Sequence, residues 1–210
     1  MKRLRLKVCG MRDGANIRAL SELKPDYVGF IFVETSPRYV GNTIPHEVAA
    51  FPSSVTRIGV FRDESLERLC DIVERNSLCG AQLHGDEDDI YLRELRRRVP
   101  SLLVVKAIKV TSADDITAIS ERVESPDLFL LDSGSGGTGT PFDWSWLRSY
   151  RSAVPFLLAG GISPANIDDA VKAAREAPSC MGLDINSQFE TSPGIKNIEQ
   201  IKEALARLSI

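Results

Sequence analysis

Short apolar runs recur about every 20 to 30 residues along the chain, separated by stretches whose apolar positions fall at helical spacing. This is the rhythm of buried strands alternating with amphipathic helices. The runs predict strands over 4–8, 27–32, 55–61, 80–83, 102–108, 127–131, 156–159 and 181–185. The stretches between and after them predict helices centred on 17–23, 45–51, 66–75, 89–98, 113–122, 144–150, 165–175 and 198–208. Ser163 followed by Pro164 reads as a start signal for the helix near Ala165, because proline suits the first helical position. Eight strands, each followed by a helix, within 210 residues favour a single (β/α)₈ TIM barrel over 1–210. No linker-like tract or composition shift divides the chain. An open doubly wound sheet is the alternative, weakened because no G-x-G-x-x-G follows the first strand.

Composition narrows the partners. A 43% hydrophobic content can supply a large core, and a net charge of -3 from 26 basic and 29 acidic residues, interspersed, gives no footprint for nucleic acid or an acidic membrane. A small molecule is the expected ligand. Arg96-Arg97-Arg98 follows Leu92 and Leu95 at helical spacing and reads as a solvated helix end. The first residues alternate basic and apolar, unlike the unbroken apolar core of a signal peptide, and no stretch approaches the ~18 apolar residues of a membrane span. A cytoplasmic location is expected. Cys9, Cys70, Cys79 and Cys180 lack CxxC spacing and read as free thiols. Only two histidines occur, one of them, His46, within a helix, which disfavours a metal centre.

In a barrel, chemistry gathers where strands end and the following loops begin. Strand six runs through Leu128-Phe129-Leu130-Leu131 to Asp132, and Gly134, Gly136, Gly137 and Gly139 follow at once. A carboxylate beside a loop whose backbone can approach an anion suggests acid-base chemistry on a phosphorylated ligand. The plainer reading is a turn-capping aspartate. Cys9 is the one cysteine at a strand's C-terminal end; as a thiolate it can remove an activated carbon-bound proton, and as a thiol it is a small core residue. Gly160-Gly161 after strand seven, and Asp184 with Asn186 and Ser187 after strand eight, occupy positions where barrels bind phosphate through backbone amides. A tight turn is the bland account of the glycine pair. Arg38, in Ser36-Pro37-Arg38-Tyr39, can pair bidentately with a carboxylate or lie free on the surface. His84 either lines the barrel mouth or holds a loop. Arg62, Asp63 and Lys106 complete the polar groups near the strand ends.

Taken in order from Lys7 to about Lys196, Lys7-Val8-Cys9-Gly10, Gly29-Phe30-Ile31-Phe32, Ser36-Pro37-Arg38-Tyr39-Val40, Gly59-Val60-Phe61, Gln82-Leu83-His84-Gly85, Gly136-Gly137-Thr138-Gly139, Phe142-Asp143-Trp144 and Leu158-Ala159-Gly160-Gly161 resemble the phosphoribosylanthranilate isomerase family. The resemblance implies a barrel of the ribulose-phosphate-binding type that performs a cofactor-free, metal-free Amadori rearrangement in tryptophan biosynthesis. By that resemblance Asp132 is the general acid and Cys9 the general base, and Arg38 faces a substrate carboxylate. His84, Gly137 and Asp184 join the substrate-binding set, and Gly160, Gly161, Asn186 and Ser187 hold the phosphate. A monomer is expected, with a homodimer as the alternative. Two departures stand out: Gln188 replaces a family glycine after strand eight, where a side chain can alter the phosphate loop, and Asn197 replaces an aspartate, a helix-capping exchange. The rivals are the analogous isomerase of histidine biosynthesis, disfavoured because Cys9 stands where an aspartate is expected, and a catalytically silent phosphate-binding barrel.

Overall fold

The computed structural model describes residues 3–121, 126–134 and 140–209. Eight parallel strands, β1 (Arg5–Val8), β2 (Tyr27–Ile31), β3 (Thr56–Phe61), β4 (Gly80–Leu83), β5 (Leu103–Lys109), β6 (Leu128–Asp132), β7 (Phe156–Leu158) and β8 (Cys180–Ile185), form a closed barrel in sequence order. Pairing of β8 back onto β1 excludes the open sheet. Every strand end lies within one residue of its expected position.

The outer layer comprises α1 (Gly14–Ser21), α2 (Leu66–Arg75), α3 (Asp89–Arg98), α4 (Ala113–Thr117), α5 (Ile167–Glu176) and α6 (Ile198–Ser209), with 3-10 segments at His46–Ala50, Ala118–Glu121 and Trp144–Ser149. Several expectations are corrected. The helices expected at 45–51 and 144–150 are 3-10 turns: Val48 N donates to Pro45 O, and Trp146 N to Asp143 O. Such short segments, the first bracketed by Pro45 and Pro52, close i to i+3 bonds more readily than a full α-helical turn. The helix of 113–122 turns 3-10 after Thr117, and its last residue lies outside the described residues. α1 begins at Gly14 rather than 17 because Asp13 Oδ1 accepts from Asn16 N at 2.8 Å and caps it there. α5 begins at Ile167, since Ser163-Pro164 opens a turn in which Ser163 N donates to Asn166 Oδ1 and Asn166 N to Ser163 O. An unexpected antiparallel hairpin, β9 (Glu190–Ser192) with β10 (Ile195–Lys196), turns through Pro193-Gly194 and leads into α6. Asn16 clasps it to α1, donating through Nδ2 to Lys196 O and accepting from Lys196 N. Asn197 does cap α6, its Oδ1 accepting from Gln200 N.

Side-chain alternation sorts each strand into two faces. Leu6, Val8, Val28 and Phe30 pack outward into the large cluster under the helices, while Tyr27, Ile58, Val105, Leu128, Leu130 and Leu157 form a separate interior cluster. The same parity carries Lys7 and Cys9 to the inside of β1, and Asp132 to the inside of β6 above Leu128 and Leu130. Register between β1 and β8 sets Lys7 beside Asp184. Core packing thereby aims the polar residues at the strand ends into one mouth. Among the described residues no helix is long and apolar enough to cross a membrane.

Candidate active site

Cys9, Arg38, His84, Asp132, Gly160, Gly161, Asp184, Asn186 and Ser187 line a single cavity of about 270 Å³ at the C-terminal ends of the strands. Gly137 lies outside the described residues, with Gly136, Thr138 and Gly139.

Cys9 is buried at the edge of that cavity and is a free thiol, as are Cys70 and Cys79. A Cβ on Gly29 of β2 would stand 2.8 Å from Cys9 Sγ, so the neighbouring strand leaves the sulfur its space by having no side chain there. Burial pushes the Cys9 thiol above its ordinary value, and the ammonium of Lys7 works against that shift. Lys7, fully buried one layer below, donates to Asp184 Oδ2 at 3.0 Å. Burial by itself lowers the Lys7 pKa, but Asp184 and Cys9 outweigh it and hold the lysine above its usual value. Burial raises the Asp184 carboxyl, with Lys7 opposing. The second carboxylate oxygen, Asp184 Oδ1, is buried without a hydrogen-bond partner among the described residues and borders the cavity. It is an acceptor held ready for a donor.

Asp132 ends β6 with its side chain 26% exposed; Oδ1 accepts from Gly134 N at 3.0 Å, and Oδ2 stands 3.9 Å from His84 Nε2. Gln82 of β4, two residues before His84 and of the same side-chain parity, brings Nε2 within 3.0 Å of His84 Nδ1. An amide nitrogen only donates, so Nδ1 accepts and the imidazole proton sits on Nε2, directed to Asp132. Burial lowers the His84 pKa, which keeps the ring neutral at physiological pH. His84 therefore both lines the mouth and addresses Asp132. Lys106 instead donates to Gly85 O and Glu87 Oε2, and Glu87 accepts from Asp63 N and Gly85 N, so this buried pair braces the loops after β3 and β4 beside the cavity.

Across the mouth, Gly160 has φ +79°, and a Cβ there would meet Ser133 N at 2.3 Å and Asp132 Oδ1 at 2.9 Å. Only glycine serves this turn. Asn166 Nδ2 donates to Gly161 O and pins it. Asn186 and Ser187 border the same side, where Gln188 lies in a 3-10 turn, exposed and without a left-handed φ. The replacement of glycine at 188 thus leaves backbone geometry unstrained. Asn186 Oδ1 and O both accept from Lys196 Nζ, at 2.7 and 3.3 Å. Arg38 is not a free surface arginine: Nε donates to Glu190 Oε1 and Oε2 at 2.9 and 3.0 Å, and Nη2 to Oε2 at 2.7 Å. Glu190 is held ionised below its usual range, because the bonds from Arg38 and Lys196 outweigh burial.

Lys7, Gln82, Glu190 and Lys196 were not singled out by the sequence reading as site residues. Parity was an available signal for two of them, since Lys7 shares a strand face with Cys9, and Gln82 with His84. For Glu190 and Lys196 the signal was their place in the stretches Asp184 to Glu190 and Pro193 to Asn197, which follow the family pattern apart from the departures noted above, but neither was given a role.

A closed parallel barrel that gathers a buried thiol, a carboxyl and a glycine turn at one mouth has the architecture of a barrel enzyme, and the family match and named relatives place it among the isomerases. The family described as N-(5'-phosphoribosyl)anthranilate (PRA) isomerase matches residues 6–207. A Parabacteroides distasonis protein named N-(5'-phosphoribosyl)anthranilate isomerase is 37% identical over 97% of this chain and 92% of its own length. The crystal structure of the phosphoribosyl anthranilate isomerase of Thermus thermophilus superposes with a TM-score of 0.83 at 26% identity, covering 98% of both chains. Another phosphoribosyl anthranilate isomerase, crystallised in complex with reduced 1-(o-carboxyphenylamino)-1-deoxyribulose 5-phosphate, gives 0.76 at 28% identity, again over 98% of both chains. The chain belongs to the N-(5'-phosphoribosyl)anthranilate isomerase family.

Proposed function

We propose that this chain converts N-(5-phosphoribosyl)anthranilate to 1-(2-carboxyphenylamino)-1-deoxyribulose 5-phosphate, the Amadori step of tryptophan biosynthesis, with Asp132 as general acid and Cys9 as general base. Asp132 protonates the furanose ring oxygen, and the ring opens to a Schiff base conjugated with the anthranilate nitrogen. The iminium acidifies C2. Cys9, as thiolate, removes the C2 proton to give an enolamine, which tautomerises to the ketone. The substrate's own nitrogen acts as the electron sink, so the chemistry needs no organic cofactor. Arg38 meets the anthranilate carboxylate, while the backbone around Gly160, Gly161, Asn186 and Ser187 holds the phosphate, so that the sugar is tethered at both ends with C2 near the sulfur.

The single observation that carries this reading is the shared cavity, in which the thiol of β1 and the carboxyl of β6 face one space bounded by Arg38 and the glycine turn. The test generates phosphoribosylanthranilate in situ and follows the loss of its anthranilate-type fluorescence. Asp132→Asn is expected to abolish turnover while the reduced product analogue still binds, and Cys9→Ser to lower kcat by about 10²-fold or more, the scale of a lost general base. Undiminished turnover in either variant removes that residue from its role.

A further inference from the structure

Arg38 has two edges that can each grip a carboxylate in parallel: one formed by Nε and Nη2, the other by Nη1 and Nη2. Glu190 occupies the first edge completely, through Nε and Nη2. Nη1 has no hydrogen-bond partner among the described residues, and Arg38 borders the cavity. Glu190 is itself immobilised, its Oε1 accepting from Lys196 Nζ and Gly194 N as well as from Arg38, and its side chain is only 4% exposed. Lys196, with a fully buried side chain, spends its three protons on Glu190 Oε1, Asn186 Oδ1 and Asn186 O, the full valence of an ammonium. Glu190 and Lys196 thus spend their hydrogen bonds on each other, on Asn186 and on one edge of Arg38, which leaves the Nη1/Nη2 edge with unspent donors at the cavity wall.

We propose that Glu190, locked by Lys196 on the hairpin after β8, is the specificity-determining positioning residue that turns the Nη1/Nη2 edge of Arg38 into the cavity as a preformed fork for the aryl carboxylate of the ligand. The inference rests on the reading above that Arg38 meets that carboxylate. It adds why an arginine carried on the distant loop after β2 holds one orientation there. Without the clamp, a guanidinium on four rotatable bonds samples many directions, and the ligand has to order it on arrival.

The test uses two probes, the reduced product 1-(2-carboxyphenylamino)-1-deoxyribitol 5-phosphate and its counterpart with an unsubstituted phenyl ring, titrated calorimetrically. Wild-type protein is expected to prefer the carboxylated probe by about 10- to 100-fold, the range of a charge-assisted pair. In Glu190→Gln/Lys196→Met, which keeps the net charge of the cluster but removes the clamp, that preference falls to about 3-fold or less; any loss of phosphate affinity through Asn186, which Lys196 also holds, is common to both probes and cancels in the ratio. Should the double variant not fold, Glu190→Gln alone is expected to lower the preference even though it raises the net positive charge of the cluster, a change that by itself would strengthen attraction of the carboxylated probe. Equal loss for both probes, or a retained preference, overturns the clamp and leaves the reading of Arg38 standing. If wild-type protein shows no preference between the probes, the reading of Arg38 fails and the clamp falls with it.

Discussion

At the scale of single residues, the polar groups of the mouth depend on each other's charges, and Lys7 is the clearest case. It is a lysine without solvent contact, tied to Asp184 and set beneath Cys9. Removing one member of such a pair strands the other charge, which typically costs about 3–5 kcal/mol, whereas neutralising both costs less. Lys7→Met is therefore expected to lower unfolding stability by roughly that amount in chemical denaturation, and Lys7→Met/Asp184→Asn to recover part of it. If the double variant is as unstable as the sum of the singles, the pair is not coupled. The thiol provides a second readout. Burial holds Cys9 above the ordinary 9.0, so its alkylation by iodoacetamide, followed on the Cys9 peptide, is expected to rise with pH through a midpoint above that value. A midpoint at or below 9.0 contradicts the direction of the shift.

At the scale of elements, the hairpin Glu190–Ser192/Ile195–Lys196 links β8 to α6 and carries the partner of Arg38. Because Glu190 is depressed below 4.5 in the folded protein, it binds protons more weakly there than in the unfolded chain. Its contribution is thus complete above the unfolded value and is lost as pH falls through the lower folded one. The melting temperature of Glu190→Gln is expected to lie below wild type at neutral pH, with the gap narrowing as the pH falls below 4.5. A gap that stays constant with pH assigns the loss to packing instead. Among elements, the strands were readable because a buried parallel strand is a short continuous apolar run with few competing explanations. The helices at 45–51 and 144–150 were misread because a few apolar residues at helical spacing satisfy a 3-10 turn equally well. The hairpin was missed because Glu190-Thr191-Ser192 carries no apolar alternation; its pairing is held by Asn16, which lies far away in sequence.

At the scale of the whole molecule, closure of the barrel at β1–β8 brings the first and last strands together and thereby assembles the site. A Cβ on Gly182 would stand 1.9 Å from Arg5 O across that seam. Gly182→Ala is expected to destabilise the protein by more than about 3 kcal/mol, since the obstacle is backbone in the closing register rather than a side chain that can turn aside. An unchanged denaturation midpoint would show that the seam can yield. The alternation of apolar strands and amphipathic helices determined, without any help from tertiary structure, that the chain makes eight successive β/α units, because each element's local period is enough to define its buried face. Closure into a barrel rather than an open sheet was decided by the pairing of β8 on β1. Strand-end position likewise marked Cys9, His84, Asp132, Gly160, Gly161 and Asp184 as neighbours of one mouth. Which groups hold these residues in place was decided only by the fold. Lys7 meets Asp184 across 177 residues of chain, and Arg38 meets Glu190 across 152, and a contact between charges so far apart in sequence leaves no periodic trace along it.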